Sequence, residues 1–188
     1  MNRIRLGVTL IAAATTGVLM LSTTPASAAK SDGWVRGYDT YVGDWGDEGD
    51  LGRELETGGS YSASNAVCLW QRVLWAEGAR KTHLAQTPKF AATDVTGTFD
   101  MDTYWATVDL QKRWGLTPDG WAGKNTFGRA DDELAKTGGS TARGETLHLR
   151  YEGRDHNLSL RRNTEGKYLF PDKDLTWRQA GYDYLTCD

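Results

Sequence analysis

Few residues of this chain have the type and spacing to do chemistry on a substrate. The strongest enzymatic hint is His148-Leu-Arg-Tyr-Glu-Gly-Arg-Asp155, with a His and an Asp seven apart. A hydrolytic zinc keeps three protein ligands and one open position. The other histidines, His83 and His156, sit in no matching motif. Hydrolysis of a glycoside needs two carboxyl groups facing each other across a cleft, and Glu133, Glu145 and Glu152 have no spacing that pairs them. No Gly-x-Ser-x-Gly element offers a serine nucleophile. The candidate catalytic set is therefore empty, and neither a metal nor a cofactor is expected. Rings, by contrast, are plentiful, with 8 Trp and 8 Tyr. Trp75, Tyr104, Trp105 and Trp121 combine a flat apolar face with a polar edge, a combination suited to stacking on a ligand.

The elements that position these rings lie between Ala66 and Ala130, where two phrases recur. Asp94-Val-Thr-Gly97-Thr-Phe99-Asp-Met-Asp-Thr103 parallels Asp119-Gly120-Trp121-Ala122-Gly123-Lys-Asn-Thr126. Leu69-Trp70-Gln71 likewise parallels Asp109-Leu110-Gln111. Internal repeats of this kind predict a unit built from similar helix-turn pieces. A first helix begins near Ser64 or Asn65, either of which can cap it, and ends at Gly78. Val67, Trp70, Gln71 and Leu74 share one face, with Cys68 and Trp75 to its side. A second helix, capped by Asp100 or Asp102, runs to about Trp114, with Ala106, Leu110 and Trp114 spaced by four. Gly115 and Pro118 stop it. A third helix is predicted from Lys124 to Ala135, ended by Gly138-Gly139. Phe99 reads as an apolar plug under the first turn, and Trp121 as its counterpart under the second, so Trp121 is both a plug and a stacking candidate. Asp119-Gly120 is a strong turn signal.

Beyond Thr141 the period changes to two. Residues 146–151, 157–162 and 167–170 alternate as strands, and Asn163-Thr-Glu-Gly166 predicts a hairpin turn. So few strands cannot stand alone, so they must lean on the helices or share a partner. The stretch from Trp177 to Cys187 reads as a terminal aromatic strap. Residues 29–63 form an irregular arm whose rings, Trp34, Tyr38, Tyr41 and Trp45, pack on the core. Its Asp44, Asp47, Glu48 and Asp50 lack the spacing of a calcium loop and read as a solvated acidic turn. Residues 57–62 read as a linker.

The first 28 residues read as a secretory leader. Arg3 and Arg5 precede an apolar run from Leu6 to Leu21, and Ala26-Ser27-Ala28 supplies small residues for cleavage before Ala29. No stable membrane anchor is expected after cleavage. The mature chain would carry 20 basic and 25 acidic residues, a net charge of −5, which argues against a nucleic-acid partner. No basic patch is evident. Two cysteines in an exported chain predict a Cys68–Cys187 disulfide.

The residues from Ala66 to Ala130 resemble the peptidoglycan-binding family, small three-helix domains on secreted bacterial cell-wall enzymes. Val67, Trp70, Gln71, Leu74 and Gly78 match its first helix, with Trp70 where the family has Leu. Gly97, Phe99, Thr103, Ala106, Leu110 and Gln111 match its second part, and Gly115, Leu116, Asp119, Gly120, Gly123 and Thr126 its third. The first turn departs from the pattern, with Asp100 in place of the second Gly. The loop after Gly78 is longer than in the family. The resemblance implies a small three-helix peptidoglycan-binding-like domain over 64–137; with the N-terminal arm and the short β-hairpin region over 138–188, neither of which resembles a known family, the expected fold is α+β. It also implies a secreted, cell-wall-associated, non-catalytic protein that binds peptidoglycan through its glycan strands and stem peptides. Trp75, Tyr104, Trp105, Asp119, Gly120 and Trp121 are the expected ligand-binding residues. His148 and Asp155 resemble part of the zinc motif of D-alanyl-D-alanine peptidases, but the later Glu and His-x-His part is missing. The alternatives are a small wall hydrolase or peptidase with a site of another kind, and an interaction or inhibitor protein.

Overall fold

The computed structural model of this chain describes residues 33–49, 51–52, 63–82 and 87–187. The expected leader with its cleavage point, the expected linker 57–62, Asp50 and His83 lie outside them.

Helix α1 spans Asn65–Ala76, and the Ser64 hydroxyl accepts from the Val67 amide at 3.2 Å. The free amides of Asn65 and Ala66 donate to Tyr184 and Gly181 carbonyls, both at 2.8 Å, so the C-terminal strap completes the cap. Gly78 follows the helix at φ +56°, as its C-terminal signal predicts. The expected single buried face is an underestimate: eleven of the twelve residues are buried, and Trp75 alone is half-exposed. Helix α2 (Met101–Arg113) covers one side of α1, and its cap Asp100 accepts from the Thr103 amide at 2.9 Å. Across the contact, the Trp70 indole donates to Thr107 Oγ1 at 2.9 Å.

Helix α3 covers only Lys124–Asp131. Leu134, expected in that helix, instead opens strand β1 (Leu134–Gly139). Strands β2 (Leu147–Glu152), β3 (Asn157–Arg162), β4 (Tyr168–Pro171) and β5 (Trp177–Gln179) follow, forming one antiparallel sheet in sequence order. Alternation points Leu147, Leu149, Tyr151, Leu158, Leu160, Tyr168 and Phe170 inward. The predicted β3–β4 turn is present, with Gly166 at φ +83° and its amide donating to Asn163.

The expected three-helix domain with a short terminal hairpin is therefore not the fold. The mixed α+β composition is there, but a five-stranded sheet dominates, and α1 packs on β2, β3 and β5 as well as on α2. Two strands carry no usable sequence signal. Gly138-Gly139 reads as a break, yet the pair lies inside β1, whose pairing with β2 slips by one at a bulge around Thr137. Strand β5 is only three residues long, too short to show a period.

The arm is part of the core. Trp45 is fully buried, stacked on Tyr151 with centroids 6.4 Å apart and edge-on to Tyr168 and Phe127. The acidic turn around it is not solvated, which corrects the expectation. Asp44 is buried against Arg162 Nη1 and the Tyr168 hydroxyl, both at 2.7 Å, and Glu48 is buried against the Tyr182 hydroxyl at 2.6 Å. A buried charge persists only when paired and hydrogen-bonded. Arg162 meets that condition, donating also to the carbonyls of Asp39, Thr40 and Thr141.

Cys68 and Cys187 form the predicted disulfide, at a sequence separation of 119. A loop of that length implies roughly 4–5 kcal/mol of stabilisation by the chain-entropy argument. The bond fastens the strap beside α1.

Asp131, at the end of α3, accepts from the amides of Gly43 and Trp45 and so ties the arm to that helix. Burial pushes its carboxyl up to about 6, against the pull of those two amides. Burial also raises Asp44, while Tyr168 and Arg162 draw it part of the way back. A carboxyl held above its unfolded value takes up a proton on folding, so its contribution favours the fold as pH falls through 6. Urea unfolding is expected to show a gain of about 1 kcal/mol between pH 7 and pH 5. Asp131→Asn should flatten that gain; a stability that falls over this range in the wild type contradicts the assignment.

Candidate functional site

The two recurring phrases of the sequence are explained by two buried glutamines. Gln71 on α1 accepts from the amides of Thr96 (2.9 Å) and Gly97 (2.8 Å) and donates to the Thr98 carbonyl and Thr103 Oγ1, both at 2.9 Å. Gln111 on α2 accepts from the Gly120 amide at 2.9 Å, and its two N–H groups are shared among Asp119 Oδ1, the Trp121 carbonyl and Thr126 Oγ1 at 2.8–3.0 Å. Each amide grips one turn that needs a glycine in the left-handed region, Gly97 at φ +73° and Gly120 at φ +78°. Each turn then leads into a helix whose entry Thr bonds the same glutamine. Even the small braces match, since the Thr98 amide donates to Thr96 Oγ1 and the Trp121 amide to Asp119 Oδ1.

This equivalence corrects the reading of Trp121 as a plug. Phe99 precedes Thr103 by four positions, and the residue four before Thr126 is Ala122. Phe99 and Ala122 are both buried, whereas Trp121 is 37 % exposed and corresponds to exposed Thr98. Ala122 also exchanges two backbone hydrogen bonds with Leu51 of the arm, at 2.8 and 3.3 Å. The adjoining Gly52 lets one face of the indole lie flat on the backbone, since a Cβ there would come 2.1 Å from Trp121 Cε3.

The two turns differ in access. Gly97 lies under Leu185 of the strap and beside Cys68 Sγ, where a Cβ would meet them at 2.1 and 2.8 Å. The second turn borders two adjoining hollows of about 200 and 240 Å³ that share Asp119, Asn125 and Thr126. Trp121, Gly123 and Lys124 wall the first, and Gly115, Leu116 and Thr117 the second. Gly123 caps α3 without a side-chain hydrogen bond. The result is a shallow groove offering an indole face, backbone, an exposed amide at Asn125 and an ammonium at Lys124.

Of the six expected ligand-binding residues, Asp119 and Trp121 line these hollows, while Gly120 within the turn and Tyr104 and Trp105 behind it do not. Asp119, Gly120 and Trp121 form the turn. The Tyr104 ring packs against Gly120, where a Cβ would come 2.2 Å from it, and Trp105 meets Tyr104 edge-on at 5.1 Å. Trp75 does not join them: it stacks on His156 at 4.4 Å and 7°, with the Arg72 guanidinium 5.0 Å from its ring. Asn125 and Lys124 were missed, because single polar residues in a turn carry no periodicity.

His148 lies exposed near the start of β2, and Asp155 lies beyond its far end, paired with Lys89 and Arg154. The strand between them places their backbones more than about 13 Å apart. Glu133 pairs with Arg129 and Glu152 with Arg150. Among the described residues no three His, Cys, Asp or Glu side chains cluster as metal ligands, and no helix is long and apolar enough to cross a membrane. No family model, curated protein or solved structure matches the chain.

Gln111 is 1 % exposed, so truncating it removes the partner of the Gly120 amide and leaves the Thr126 hydroxyl with the Trp121 carbonyl alone. Gln111→Ala is expected to cost about 2–4 kcal/mol in urea unfolding. A loss below about 1 kcal/mol, within the range of an ordinary surface substitution, contradicts the clamp.

Proposed function

We propose that this protein is a secreted, non-catalytic cell-wall-binding protein that holds peptidoglycan in the groove around Asp119–Thr126. The observation that carries the reading is the exposed indole of Trp121, set flat on Gly52 at the rim of a groove whose position Gln111 fixes. Peptidoglycan offers sugar rings and short peptides ending in carboxylates. The indole face suits the rings. Lys124 and the uncapped start of α3 present positive charge to a carboxylate. The groove is open, so affinity comes from a few stacking and hydrogen-bonding contacts and is weak. The leader over residues 1–28 supports export to the compartment where this polymer is found.

Sedimentation with purified sacculi tests the reading. Trp121→Ala is expected to weaken binding roughly tenfold, the loss of one aromatic anchor. Its stability cost should stay near 1–2 kcal/mol, below the 3–5 of a buried tryptophan, because the indole is partly exposed. Folded wild-type protein that leaves sacculi in suspension refutes the binding role, as does Trp121→Ala protein that binds like the wild type. Release of soluble muropeptides would mean hydrolysis instead.

A further inference from the structure

The sheet has a second face, turned away from α1, and its chemistry differs from that of the rest of the chain. The sequence shows no basic cluster, and the whole chain carries a net charge of −3. Folding nevertheless gathers cations on this face. Arg161 of β3 stands opposite His148 of β2 and Leu169 of β4. Because Tyr168 and Phe170 point inward, Lys167 shares the outer side of β4 with Leu169. Lys167 in turn pairs with Arg36 of the arm across an antiparallel bridge.

These cations rest on rings. The Arg161 guanidinium lies 4.0 Å from the Trp177 ring centre, the Lys167 ammonium 3.8 Å from that of Trp34, and the Arg36 and Arg143 guanidinia 5.2 and 4.2 Å from that of Tyr38. A guanidinium already held over a ring loses little further freedom on binding an anion. Glu165 pairs with Lys167, and its carbonyl accepts from Arg36. Among the described residues, neither Arg143 nor Arg161 stands within ion-pair distance of a carboxylate. Beside Arg161 lies a hollow of about 160 Å³ lined by Thr137, His148, Ser159 and Trp177. The β1 bulge places Thr137 in that wall.

We infer that this outer face binds an acidic glycan, a sugar polymer bearing repeated carboxylate or phosphate groups. Neighbouring strands lie about 4.8 Å apart, and Arg161 stands level with Leu169, two residues along β4 from Lys167, so the cations are spread over an extended patch and match a polymer better than a single ion. The hollow, with two hydroxyls, an imidazole and an indole edge, matches a sugar unit. An acidic polypeptide would satisfy the charges alone. The inference does not depend on the groove at Trp121, and the two fail separately.

The test measures binding of the full mature chain to polygalacturonate as probe, against dextran, polyglutamate and phosphatidylglycerol vesicles. Polygalacturonate is expected to bind best, with affinity falling as salt rises. Arg143→Gln with Arg161→Gln should weaken it roughly tenfold, because both charges lie where no protein acid compensates them. Trp121→Ala should leave it unchanged. Both arginines are at the surface, so an unaltered thermal melt will confirm that the double variant is folded. Equal or tighter binding to polyglutamate or to vesicles overturns the inference. So does equal binding to dextran, or a folded double variant that binds polygalacturonate like the wild type.

Discussion

The burial of α1 on every side is the constraint from which the rest of the architecture follows. A helix with one apolar face needs one partner, whereas a helix with eleven of twelve residues buried needs a surround. Helix α2 covers one side, the sheet another, and the C-terminal strap closes the start of the helix by accepting from its first two amides. The remaining gap lies between α3 and the sheet, and Trp45 of the arm fills it. A single hydrophobic cluster thus runs through arm, helices, sheet and strap. The ionic contacts of Asp44 and Arg162 are the polar counterpart of the same requirement: bringing Trp45 inside carries an acidic neighbour with it, and that charge must meet a partner.

Within this surround, the internal repeat acquires a physical meaning. Two helices each present a buried glutamine, and each amide satisfies the backbone of one glycine turn. A backbone turn held in a dry site needs such a partner, since unpaired amides there are costly. The duplication yields two similar turns, and their surroundings make them differ. The disulfide and Leu185 close over the first. The second stays open beside Trp121 and Asn125. Function, on this account, resides in the copy that the packing leaves uncovered.

How legible the molecule is from sequence varies with the length over which a signal can repeat. Helices α1 and α2 and strands β2, β3 and β4 announce themselves through caps, stop signals and alternation. The end of α3 and strands β1 and β5 do not, because a glycine pair inside a strand reads as a break and three residues show no period. The burial of Asp44 and Glu48 is invisible in the sequence because Arg162 and Tyr182, which donate hydrogen bonds to them, lie more than a hundred residues away. Trp121 was misplaced by one position, although counting back from Thr126 to match Phe99 and Thr103 would have identified Ala122 as the buried residue. The basic outer face is a property of register: its cations are scattered in sequence and meet only once β2, β3 and β4 pair. Cys68 and Cys187, by contrast, needed only a count.

The central claim is that the open second turn, placed by Gln111, is where the wall polymer is held. Backbone amide shifts of the isotope-labelled mature protein, followed as soluble peptidoglycan fragments are added, test it most directly. The account predicts saturable shifts clustered at residues 115–126, with the Trp121 indole among the largest and the covered turn at residues 96–99 silent. Shifts confined to other surfaces, or none at millimolar fragment in a folded protein, would contradict it.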